Sequence, residues 1–136
     1  MTLPPALAAL AVKNGVSLDR LGERDRAVLL AFAACAFEVD RGYREAEVNR
    51  ILSAWLDGPG EMLRTDHVEL RRWLVDAGFI GRDGYGRSYV RGQNEADRAA
   101  DLLGDAAPGE IQAGVAALRA ARRAERQARR EVFAGR

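Results

Sequence analysis

Apolar residues recur at helical spacing in several separate stretches of this chain, with breakers between them. Pro4 and Pro5 lead into an alanine-rich segment in which Leu7 and Leu10 stand three apart, predicting a short helix over 6–12 that ends near Asn14 and Gly15. Across 23–38 the residues Val28, Leu29, Phe32, Cys35 and Ala36 repeat at the same period, with Ser17 or Asp19 as candidate caps. That pattern predicts a central buried helix. Arg41, Gly42 and Tyr43 interrupt it. The period resumes over 45–56, where Val48, Ile51, Leu52 and Trp55 fall at i, i+3, i+4 and i+7 of an amphipathic helix. Glu45 and Glu47 suit the positive end of its dipole, although Arg44 is a poor cap.

The cluster Asp57, Gly58, Pro59 and Gly60 is a strong break. Asp66 with Glu69 three residues later then resembles a capping box, so a third helix starts near His67 and runs through Leu70, Trp73, Leu74 and Ala77 to a stop at Gly78. Phe79 to Arg82, a turn at Asp83, Gly84, Tyr85 and Gly86, and a run from Arg87 to Val90 predict a small β-hairpin. A polar, alanine-rich segment holding Leu102 and Leu103 follows, and a break surrounds Pro108. Residues 110–133, rich in Ala, Leu, Gln, Glu and Arg without proline, predict a final helix. The expected fold is therefore mainly α with a small β-hairpin. Its organisation is an N-terminal helical extension (1–15), a winged-helix-like domain (16–103) and a C-terminal basic helix (104–136).

Composition narrows the function classes. At 136 residues, with 48% hydrophobic and 30% charged, the chain fits one folded domain with an extension. One Cys and one His cannot assemble a four-ligand structural zinc site, and no cofactor motif is present. Cys35 reads as a small buried thiol, because no base is placed to activate it. The apolar run 27–37 is too short to cross a bilayer, and the early residues lack the positive charge of a signal peptide. A cytoplasmic protein with no membrane partner is expected.

The net charge of +1 offers no global attraction to nucleic acid, so any such attraction is local. The tail supplies one asymmetry. Residues 108–136 hold seven Arg against three Glu, net +4, whereas 1–107 hold 14 basic against 17 acidic side chains, net −3. On the final helix, Ile111, Val115 and Leu118 make an early apolar stripe, while Arg119, Arg122, Arg123, Arg126 and Arg130 follow a neighbouring face.

Helix, helix, helix and hairpin in that order is the arrangement of a winged helix-turn-helix, in which the third helix can enter a major groove. The run Tyr43, Arg44, Glu45, Ala46, Glu47, Val48, Asn49, Arg50, Ile51 and Leu52 belongs to a recognisable pattern. So do Asp66, His67, Leu70, Arg71, Arg72, Leu74, Val75, Asp76, Gly78, Phe79, Ile80, Arg82, Asp83, Gly86 and Tyr89. Together they resemble the bacterial domain-of-unknown-function family 2087 over roughly Val16 to Arg91. The resemblance implies a winged-helix-like fold and a regulatory role, since such domains occur alone or joined to helix-turn-helix regulators. This chain differs in carrying Arg44 where a capping Thr is common, and in a longer connection over 57–65.

Two functions are expected from these features. In the first, the protein is a transcription-associated regulator that contacts DNA or RNA through Arg71 and Arg72 on the third helix. Arg64, Arg82, Arg87 and Arg91 extend that surface across loop and wing, and Arg119, Arg122, Arg123, Arg126 and Arg130 add phosphate contacts from the tail. Tyr85, at the hairpin tip, is a further interaction residue. In the second, the same fold docks on a protein partner, with Arg71 or Arg72 paired to Asp76, Glu69 or Glu47, and the terminal helix orders on a partner or nucleoprotein assembly. An enzyme is not expected: Asp66 and His67 have acid–base chemistry, but no nucleophile, metal cluster or phosphate loop accompanies them. Asp66 reads more simply as a cap, Asn49 as a partner of the following loop's backbone, Gly81, Gly84 and Gly86 as turn glycines, and Trp55, Trp73, Phe32, Phe37 and Phe79 as core.

Overall fold

Helix α1 (Pro5–Ala11) starts with proline at its first position, where the missing N–H costs nothing, and turns Leu7, Leu10 and Ala11 inward. The computed structural model describes residues 3–85 and 87–135. Gly15 takes a positive φ of 66°, reversing the chain so that Val16 pairs with the distant loop: its N–H donates to Met62 O and its carbonyl accepts from Arg64 N–H, at 2.9 and 2.8 Å. Ser17 and Asp19, the expected caps, do not cap α2. They sit at a 3₁₀ turn (Leu18–Arg20), and the N-cap of α2 (Glu23–Ala34) is Gly22. Arg26 holds the turn against the helix instead, its Nε and Nη2 donating to the carbonyls of Leu18 and Leu21 at 3.0 and 2.9 Å.

Every residue of α2 from Val28 to Ala34 is buried, as befits a helix covered on all sides. It ends four residues earlier than its periodicity predicts, because Cys35, Ala36 and Phe37 donate to carbonyls three residues back and tighten the chain out of the α form. Phe37 tucks under Tyr43, edge to face at 5.2 Å, and the Tyr43 hydroxyl accepts from Glu38 N–H at 2.9 Å.

Tyr43 belongs to a strand absent from the expected element list, β1 (Gly42–Arg44). Helix α3 (Glu45–Asp57) follows directly and buries Val48, Leu52 and Trp55, as its period requires. Helix α4 (His67–Asp76) begins at Asp66, whose Oδ1 accepts from Glu69 N–H at 2.8 Å, and is closed by Gly78 at φ +80°. The hairpin strands are shorter than expected, β2 (Gly81–Arg82) and β3 (Ser88–Val90). Phe79 and Ile80 are not strand residues, because both N–H groups fold back onto Leu74 O. Of the turn residues, Gly86 lies outside the described residues. The sheet has the antiparallel order β1-β3-β2, with Tyr43 opposite Tyr89 and Arg82 also paired to Tyr89.

The alanine-rich segment after Gly92 is a further helix, α5 (Gln93–Leu103), which lays Ala99 and Leu103 into the core against α2. Helix α6 (Pro108–Ala134) buries Ile111 and Val115 and packs on α1. The fold is thus mainly α, with a small antiparallel sheet and a long C-terminal helix. One hydrophobic cluster runs from Leu7 through α2, α3, α4 and the sheet to Val115, so α1 and the start of α6 share a core with the elements between them. Among the described residues, no helix is long and apolar enough to cross a membrane.

Candidate nucleic-acid interface

The arginines singled out in the sequence separate into three environments. Arg71 and Arg72 are adjacent on α4, so the helical turn sends them in different directions. Arg71 leans onto α3, where Nη1 donates to Asn49 Oδ1 and Nη2 pairs with Glu45 Oε1 at 3.2 Å, leaving its side chain 16% exposed. It joins two helices, and Asn49 bonds this guanidinium rather than a loop carbonyl. Arg72 is exposed. It shares its solvent row with Glu69 and Asp76, three before and four after, both also exposed.

Arg91 does not extend a surface. It is 6% exposed, with Nη1 donating to Phe37 O at 3.3 Å and Nη2 meeting Cys35 Sγ at 3.9 Å. The sequence carried a signal for this: side chains alternate along a strand, so Arg91 shares the inward parity of Tyr89. Cys35 beside it is half-buried. Burial pushes the thiol above its ordinary pKa of 9.0, against a smaller lowering by the Arg91 charge and hydrogen bond.

Arg119 is likewise part of the fold. Nε donates to Glu61 Oε1, Nη1 to the carbonyls of Ala11 and Lys13, and Nη2 to Asn14 Oδ1, each at 2.8 Å. These donors leave the guanidinium no fork to offer a phosphate. Arg123 also pairs with Glu61, at 3.7 Å, and Arg122 with Glu125 at 3.5 Å. The hydrogen bond from Arg119, opposed by partial desolvation and aided by both positive charges, holds the Glu61 carboxyl below its ordinary value.

The remaining candidates face solvent. Arg64, Arg82, Arg87, Arg126 and Arg130 are exposed. At the wing tip, Asp83 Oδ1 accepts from the N–H groups of Tyr85 and Arg87, at 3.1 and 2.9 Å, fixing the turn. Tyr85 is 82% exposed, and the Arg87 guanidinium stacks over its ring at 5.0 Å. Trp73, expected in the core, is only half-buried and carries Arg26 over its ring at 4.6 Å; Trp55, Phe32, Phe37 and Phe79 are buried. The carboxylate of Asp66 is engaged as the cap of α4, beside His67.

A family model described as "Uncharacterized protein conserved in bacteria (DUF2087)" matches residues 22–91, which run from the N-cap of α2 to just past β3. No curated protein and no solved structure matches the chain.

Proposed function

The chain belongs to the DUF2087 family of bacterial proteins, and from that premise we propose that it is a non-enzymatic, cytoplasmic regulator that contacts nucleic acid through its wing and tail. The observation that carries this reading is the wing. The order α2, β1, α3, α4, β2, β3, with β3 between β1 and β2, supports a winged helix-turn-helix reading, and the hairpin carries Arg82, Tyr85 and Arg87 at exposed positions. A stacked Tyr–Arg pair beside a second arginine suits a phosphate backbone and a base or sugar face. Arg126 and Arg130, exposed on the far half of α6, add sequence-independent phosphate contacts. The role differs from third-helix readout, because Arg71 is tied to α3 and Arg72 stands between two acids.

That α4 row favours a second reading, docking on a protein partner, since Glu69 and Asp76 flanking Arg72 repel a phosphate backbone and suit a mixed-charge protein surface. Fluorescence anisotropy of the full chain with duplex DNA and structured RNA over a salt series separates the two. Salt-dependent binding that is lost in Arg82→Glu/Arg87→Glu supports the wing reading, and Arg126→Glu/Arg130→Glu reports the tail's share as a shallower salt slope. No binding at low salt by the full chain rejects it in favour of a protein partner. Substitutions are preferred to truncation at Gly104, which would strip Ile111 and Val115 from the core.

A further inference from the structure

Arg91 presents a guanidinium that is buried and not neutralised. Its Nη1 reaches only the Phe37 carbonyl, its Nε has no partner, its contact to the Cys35 sulfur is long, and no ion pair joins it to a carboxylate among the described residues. Arginine cannot shed its proton to relieve such a position, and an uncompensated buried charge is strongly unfavourable. The same side chain lines a cavity of about 290 Å³ between the end of β3, helix α5 and the start of α6. Ala96, Leu103 and Ile111 supply apolar wall, while Asp97 and Asp105 are exposed, Asp97 accepting from Gln93 Nε2 at 2.8 Å through one oxygen.

The lining therefore holds a buried cation and two exposed carboxylates that share a cavity without touching. A ligand with a carboxylate alone would answer Arg91 but meet the field of the two acids; one with an ammonium alone would leave Arg91 unanswered. The volume is near the lower end for small-molecule sites. We propose that this cavity binds a free α-amino acid with an apolar side chain, its carboxylate on the Arg91 guanidinium, its ammonium towards Asp97 and Asp105, and its side chain against Ala96, Leu103 and Ile111. The inference does not depend on the nucleic-acid reading, because binding is measured with no nucleic acid present.

Isothermal titration of the full chain with L-leucine tests it, beside 4-methylpentanoate and 3-methylbutylamine, which are leucine without its ammonium and without its carboxylate. Leucine binds, and each truncated analogue is weaker than leucine by about tenfold or more, the loss of one charge-assisted contact. Arg91→Gln abolishes amino-acid binding. Should that variant fail to fold, Asp97→Asn/Asp105→Asn, two changes at exposed positions, carries the test: it weakens the amino acid several-fold and leaves 4-methylpentanoate no weaker. The proposal is overturned if leucine does not bind, if 3-methylbutylamine equals leucine, or if the aspartate variant binds the amino acid unchanged.

Discussion

Gly60 illustrates how one residue is fixed by a neighbour rather than by its own backbone. A Cβ placed there would lie 2.1 Å from Trp55 Cζ3 and 2.3 Å from Cε3. The indole has nowhere to retreat, being buried and packed edge to face on Phe32 at 5.3 Å. Gly60→Ala is expected to destabilise the protein by about 1–3 kcal/mol, the range for overpacking a filled core. Urea denaturation checks this as a lower midpoint at unchanged slope. In sequence, Gly60 reads only as a turn glycine in a breaker cluster, because nothing local reports that a tryptophan five residues earlier folds back over it. Cys35 yields a chemical prediction at the same scale. With its pKa raised by burial, less of it is thiolate at pH 8 than in an unfolded chain, so it reacts more slowly with Ellman's reagent when native than in urea. A faster native reaction would show that the Arg91 charge outweighs burial.

Neighbouring elements are joined by side chains whose partners are remote in sequence. The α3–α4 pair is locked by Arg71 reaching Asn49 and Glu45, and exposed Arg72 beside it makes no such tie. Arg71→Ala is expected to cost about 1 kcal/mol or more by leaving half-buried Asn49 without its donor, exposed Glu45 turning to water, and Arg72→Ala to stay within about 0.5 kcal/mol. Equal losses in thermal or urea unfolding would contradict this division. Helix periods and stop signals made α3 and α4 readable in sequence: Val48, Leu52 and Trp55 are buried as spaced, Asp66 caps, and Gly78 adopts the positive φ. The short strand β1 was not readable, since three residues have too little alternation to stand out and pair only with the distant Ser88 to Val90. Helix α5 escaped for another reason. It starts at Gly92 with no capping side chain, and its inward Ala99 and Leu103 find their partner only once α2 is seen to pack against them. The site divides in the same way: exposure of Arg82, Arg87 and Tyr85 follows from a local turn and the inward side of Arg91 from strand parity, whereas the partners of Arg91 and the clamp on Arg119 lie far along the chain.

Across the whole molecule, one guanidinium adds a polar tie to the apolar packing of α6 on α1. Arg119 of α6 spans the carbonyls of Ala11 at the end of α1 and Lys13 beyond it, Asn14, and Glu61 in the loop between α3 and α4, so a carboxylate outside the C-terminal helix contributes to its docking. The folded Glu61 carboxyl titrates below its ordinary value of 4.5, mainly because Arg119 donates to its ionised form. A lowered folded pKa means that the unfolded chain takes up the proton first. The contribution to stability is therefore complete above about pH 4.5 and is lost as pH falls through the lower folded value. Glu61→Gln should flatten that part of the acid limb while leaving Arg119 its three oxygen partners on and beside Ala11, Lys13 and Asn14. Arg119→Ala should remove the limb and lower stability at neutral pH as well, because Ala11, Lys13 and Asn14 lose their donor together. Urea unfolding between pH 3 and 7, with hydrogen exchange along α6, measures both effects. If the wild type and Glu61→Gln lose stability in parallel on acidification, the carboxylate does not govern the docking of α6, which then rests on the Arg119 bonds to Ala11, Lys13 and Asn14 and on the burial of Ile111 and Val115.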